Sequence, residues 1–218
     1  ASLEGAQFQL YADRACTTKA TVYNASGSKI TAGVYTIQNG KVTTDYLRSG
    51  VTYYLKEIKA PVGYNLSTEV IPIIADASSK TVEYTSQISN AEYGNNPILG
   101  KVAIQKYYSD GETGLLEPEA NTTFKIYLKS KGSYEACTDY ERAIIKTDSN
   151  GYAVTGNLYY GTYVVHQVDS GDVDAIHVDD FDVEVTENGK VYAYPLNNKL
   201  FKAYLKILKK DKQTEKQV

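Results

Sequence analysis

The sequence predicts an all-β protein: two tandem Ig-like β-sandwich domains forming an elongated rod. Three observations carry this reading. Short strand-like runs follow one another at close intervals, set apart by turn residues, and no helical pattern of ten or more residues interrupts them. The composition favours a pleated, half-buried surface, with 21 Tyr, no Met, no Trp and frequent Val, Ile and Thr. Landmarks of the first half also recur in the second.

The clearest runs, in order, are Gly5 to Tyr11, Gly33 to Ile37, Thr52 to Ile58, Val70 to Ile74 and Thr81 to Asn90 in the first half. The second half has Lys101 to Tyr107, Thr123 to Leu128, Gly161 to Val168, Phe181 to Val185, Val191 to Leu196 and Ala203 to Leu208. Asn39-Gly40, Asn150-Gly151 and Asn188-Gly189 are turn pairs of the hairpin type. Gly94-Asn95-Asn96-Pro97 breaks the pattern near the middle and is expected to be a linker.

The repeat fixes the domain organisation. Asn39-Gly40, Leu47 and Gly50 recur 111 residues later as Asn150-Gly151, Leu158 and Gly161. After a one-residue slip, Tyr53 to Glu57 lies over Tyr163 to Gln167. Ala15-Cys16-Thr17 matches Ala136-Cys137-Thr138, and Ile88-Ser89-Asn90 matches Leu196-Asn197-Asn198. The expected domains are therefore 1–95 and 99–200. The copies are out of phase with the ends of the sequence. The second opens with a strand, Lys101 to Lys106, whereas the first begins at the loop after such a strand. Residues 201–218 read as the opening strand of a following module.

Composition also excludes classes. Lys plus Arg number 23 and Asp plus Glu 26, a net charge of −3 that gives no general drive toward nucleic acid or anionic membrane. No apolar run approaches the roughly 20 residues of a membrane span. With no signal peptide and no sorting tail, the sequence reads as the interior of something longer or as a processed form. Two cysteines, Cys16 and Cys137, are too few for a disulfide framework. Separate thiols are expected, with an inter-module disulfide as the alternative.

Tyr54-Leu55-Lys56-Glu57-Ile58-Lys59-Ala60-Pro61-Val62-Gly63-Tyr64 resembles the Y-x-L-x-E-x-x-A-P-x-G-Y box of collagen-adhesin B-type (Cna-B, SpaA-like) domains. Lys209-Lys210-Asp211-Lys212-Gln213-Thr214 is similar to their K-x-D-x-x-T opening strand, and Leu3 to Tyr11 to their L-x-G-A-x-F-x-L-Y second strand. The resemblance implies a prealbumin-like sandwich from bacterial pilins and surface adhesins. It also implies a spontaneous Lys–Asn isopeptide bond assisted by a buried Glu or Asp.

The chemistry follows from elementary principles. A buried Lys loses affinity for its proton and becomes a nucleophilic amine. A buried carboxyl beside it polarises an Asn side-chain carbonyl, and attack there expels ammonia and leaves an amide. In the first module Glu57 is the expected proton relay and Asn90 the acceptor. By motif the Lys is Lys209 or its equivalent in a preceding module. Two arrangements bring Lys209 to Asn90: strand complementation between copies joined head to tail, or backbone continuity in a tandem array. In the second module Lys106 and Asn198 stand in the right places, but Gln167 replaces the carboxylate and cannot relay a proton at neutral pH. An Asp from elsewhere, such as Asp180 or Asp182, could substitute.

Other candidates read as ordinary surface. The cluster Asp169, Asp172, Asp174, Asp179, Asp180 and Asp182 lacks EF-hand spacing, so no metal and no cofactor is expected. His166 and His177 are expected as exposed strand and loop residues. No clustered catalytic set marks an enzyme. The expected function is structural: a stalk or pilus-shaft segment of a bacterial cell-surface fibre, extracellular, with neighbouring copies or modules as partners. The alternative is an adhesin module whose tyrosines bind a host glycan or matrix protein.

Overall fold

The computed structural model describes residues 3–75, 94–109, 112–171 and 174–200. These divide into two compact units: the described residues up to Lys101 with Asn157–Thr162 and Glu184–Lys190, and the described remainder. The structure is all-β, as the sequence predicts, and among the described residues no α-helix is present.

The first unit is built on an antiparallel sheet in the order β4 (Val34–Thr36), β1 (Gln7–Tyr11), β5 (Thr52–Lys59), β6 (Val70–Ile74). A second, two-stranded sheet pairs β2 (Thr21–Tyr23) with β3 (Lys29–Thr31). Leu10, Ala20, Val22, Ala32, Tyr35, Tyr53 and Ile73 form the core, with Phe8, Leu55 and Ile71 packed against it. Alternate residues of a strand share a face. That rule puts Glu57 on the same side of β5 as Tyr53 and Leu55, and Glu57 is buried with Tyr53. The register also slips at this point: Phe8 lies opposite Glu57, while Gln7 lies opposite Lys59.

The second sandwich repeats the plan. One sheet runs β10 (Arg142–Lys146), β9 (Thr123–Leu128), β13 (Gly161–Gln167), β15 (Phe181–Val185). The other runs β11 (Tyr152–Val154), β7 (Leu99–Ser109), β16 (Val191–Leu200), β14 (Ala175–Ile176). The short strands β8 (Leu116–Pro118) and β12 (Leu158–Tyr159) also pair with β7. Phe124 and Ile126 of β9, Tyr163 and Val165 of β13 and Val183 of β15 are buried by the period-2 rule. On β7 the same alternation takes Val102, Ile104 and Lys106 inward, and all three are fully buried. Phe124 lies opposite Gln167 as Phe8 lies opposite Glu57, so the repeat read from sequence has a structural counterpart.

The turn pairs serve different ends. Asn39 and Gly40 both have positive φ, 52° and 73°, and Gln38 bridges Lys41, which is a tight type I′ hairpin. Asn150-Gly151 and Asn188-Gly189 instead carry the chain from one sheet of the second sandwich to the other. The expected linker Gly94–Pro97 is not a free tether. Asn65 N–H and its side-chain amide donate to the carbonyl of Asn96, that amide also donates to the carbonyl of Pro97, and Ile98 N–H donates to Gly63. The segment leaving the first module is thus zipped to the loop that follows β5. The expected strands Thr81 to Asn90 and Ala203 to Leu208 lie outside the described residues.

Candidate amide cross-link sites

In the second module β7 presents Lys106, β16 presents Asn198, and between them stands a carboxylate the sequence reading did not single out, Glu119. All three are shut off from solvent, at 0%, 0% and 1% exposure. Lys106 Nζ donates to Glu119 Oε2 at 3.0 Å and to the carbonyl of Tyr107 at 2.8 Å. Asn198 Nδ2 donates to Glu119 Oε1 at 2.9 Å, and Asn198 Oδ1 is buried without a partner among the described residues. One carboxylate therefore bridges amine and amide.

The backbone holds Glu119 there. Its N–H donates to the carbonyl of Lys106, and Lys106 N–H donates to the carbonyl of Gly151. Thr147 Oγ1 donates to the carbonyl of Glu119 at 2.7 Å and accepts from Thr122 N–H. Thr122 Oγ1 donates to Glu119 Oε1 at 3.1 Å, so that oxygen has two donors and the other faces the lysine. Asn121, in the left-handed region at φ 61°, turns the chain between Glu119 and β9. Gly151 has φ 72°, and a Cβ there would stand 2.2 Å from the Lys106 carbonyl oxygen, so this crossing admits only glycine.

Burial pushes the Lys106 ammonium below the usual lysine range, and the hydrogen bond and charge of Glu119 pull it partly back. A buried ion pair is costly to hold in place, because each ion has lost its water. The arrangement can relieve that cost chemically. Nζ can give one proton to Glu119, and the free amine can then attack the side-chain carbonyl carbon of Asn198. The carboxyl can hand its proton to the departing nitrogen while taking the second proton of the attacking one, so that ammonia leaves and Glu119 ends protonated.

Asp180 and Asp182, which could have substituted for the carboxylate, are not placed to do so. Both are exposed on β15 or just before it, Asp180 against His166 Nδ1 at 2.7 Å and Asp182 against Lys129. Gln167 occupies the place of Glu57 but works structurally: its Oε1 accepts from Val178 N–H and its Nε2 donates to the carbonyl of Asp169. Glu119 was missed because it sits in a turn segment with no periodicity. The one signal was its alignment, counting back from Phe124 and Phe8, with Leu3, an apolar residue of the other copy.

In the first module Glu57 is 3% exposed. Its Oε2 accepts from Ser67 N–H at 2.8 Å and from Asn95 Nδ2 at 2.7 Å, while Oε1 is buried without a partner among the described residues. Asn90 and Lys209 lie outside the described residues. Asn95, read only as linker, is the unanticipated member of this site.

The remaining candidates resolve simply. Partial burial pushes the Asp169 carboxyl up, but N–H groups of Thr123 and Gly171 outweigh it and hold the group below the usual carboxylate range. Asp169 is a loop-fastening acceptor. Among the described residues no group of three or more His, Cys, Asp or Glu is placed to hold a metal ion. Cys16 and Cys137 are free thiols.

Residues 1–89 match the SpaA family of prealbumin-like fold domains. The trypsin-resistant surface T6 protein of Streptococcus pyogenes serotype M6 is 30% identical over 131 residues, 56% of this chain and 23% of that protein. Among solved structures, the Bacillus anthracis TIE protein overlays with a TM-score of 0.62 at 24% identity, covering 91% of this chain and 31% of that one. That likeness is one of fold. The chain thus spans under a third of the length of either relative.

Proposed function

We propose, from the premise that residues 1–89 are a SpaA-type prealbumin-like domain, that this chain is a structural segment of a bacterial cell-surface fibre or adhesin. Its second module is stapled by a spontaneous amide bond from Lys106 to Asn198, with Glu119 as the proton relay. One observation carries the reading: a lysine, a glutamate and an asparagine, all without solvent access, meet at a single carboxylate. A buried charge pair is weak support for stability by itself. Condensation removes the ammonium, leaves an uncharged amide and releases ammonia.

The position of the bond fits a load-bearing part. β7 and β16 are neighbours in one sheet and stand near the two ends of the module's sequence. Tension entering at one strand and leaving at the other passes through the side-chain amide, and the intervening residues carry none. Residues 1–95 and 99–200 are the modules of this scheme, and 201–218 the first strand of a following one. In the first module Glu57 is the relay for a bond between Asn90 and Lys209, supplied by a neighbouring copy head to tail or by an equivalent lysine in an adjacent module.

Single-molecule stretching between handles on the chain ends tests the role. The second module of the wild type should give no unfolding step. N198A should give one of about 300 Å, since the residues between 106 and 198 then extend at roughly 3.3–3.6 Å each. An equal step in both proteins refutes the staple.

A further inference from the structure

The two carboxylates follow one pattern. Glu119 has two neutral donors on one oxygen, Thr122 Oγ1 and Asn198 Nδ2, and a lysine ammonium on the other. Glu57 likewise has two neutral donors on one oxygen, Ser67 N–H and Asn95 Nδ2, and its second oxygen is buried with no partner among the described residues. Asn95 belongs to the segment that leaves the module. Its Nδ2 is held by the carbonyl of Asn65 at 3.0 Å as well as by Glu57, and the next residues are zipped along 63–65.

We propose that Asn95 is a positioning residue for Glu57: with Ser67 N–H it clamps Oε2 and so presents Oε1 to the amine of the bond-forming lysine. This rests on the reading of Glu57 as relay. A buried carboxylate with two donors on one oxygen cannot rotate without breaking both hydrogen bonds, each stronger than a neutral pair. Removing Asn95 leaves one donor and a carboxylate free to turn its open oxygen away. The exit segment is thereby part of the bond-forming site, although no bond is made to it.

The test uses the full chain with a synthetic peptide of residues Phe201 to Thr214, which carries the lysine motif. Intact mass follows the adduct, and fluorescence anisotropy of labelled peptide on an N90A background follows binding alone. N95A should leave binding within about twofold and slow adduct formation about tenfold or more, the worth of one hydrogen bond to a charged group. N95D, which cannot donate and sets a like charge beside Glu57, should slow it further. Equal adduct rates for wild type and N95A overturn the proposal. A second readout is spectroscopic: the Asn95 side-chain amide protons should move in E57Q, and unmoved resonances also overturn it. If wild type binds the peptide without forming an adduct, the relay reading itself fails and the positioning role falls with it. A wild type that neither binds nor reacts fails earlier, at the strand.

Discussion

Replacing Glu119 with Gln keeps the shape of the second site and removes its proton relay. Gln has a single acceptor oxygen, so it can accept from Lys106 or from Asn198 but not from both as Glu119 does, and it cannot take the lysine proton. Two costs follow. The proposed cross-link would close a loop of roughly 90 residues, worth about 4.6 kcal/mol in the chain-entropy picture. In addition, the unreacted Lys106, with no solvent access, is left without a counter-charge, which costs about 3–5 kcal/mol when a buried pair is broken. At about 4–8 °C per kcal/mol for a domain near 100 residues, the melting point of the second module should fall by at least 20 °C. N198A removes the bond but keeps the Lys106–Glu119 pair, so it should fall less than E119Q. The assay is a calorimetric melt of the three proteins alongside their intact masses. E119Q that retains the mass deficit, or that melts with wild type, refutes the relay.

Two further predictions concern the same site. In N198A the lysine stays a free amine whose folded-state pKa is depressed by burial. The unfolded chain then binds more protons, so N198A should gain stability as pH rises from that depressed value toward about 10.4. Wild type, with its lysine in the proposed amide, should lack this gain, and urea melts across alkaline pH compare the two. Gly151→Ala puts a Cβ against the Lys106 carbonyl from a left-handed backbone. It should cost more than about 2 kcal/mol, and an unchanged urea midpoint would contradict this account of the crossing.

Much of this was legible in the sequence. Val70–Ile74, Thr123–Leu128 and Phe181–Val185 were read to the residue, because an unbroken strand pattern with turn residues beside it allows few alternatives. Lys106 was legible as inward-facing because it continues the alternation of Val102 and Ile104. The short strands Thr21–Tyr23 and Lys29–Thr31 were not read, since three residues carry no period. Arg142–Lys146 hid for another reason: its neighbouring isoleucines take opposite fates, Ile144 exposed and Ile145 buried. Glu119 was illegible for a physical reason. Its inward direction is set by Asn121's left-handed turn and by Thr122 and Thr147, contacts that no local pattern encodes. Asn95 was read as a linker because Gly, Asn and Pro mark breaks in pattern. They do not tell where the chain docks after the break.

The proposed covalent link is tested by digesting the folded-then-denatured wild type with trypsin and sequencing the fragments by tandem mass spectrometry. Trypsin cuts after a free lysine and not after one whose amine is acylated. The account predicts a branched fragment in which the Lys106 side chain is joined to Asn198, about 17 Da lighter than its two parts, the mass of the expelled ammonia. Linear peptides ending at Lys106 together with an unmodified Asn198 peptide would contradict it.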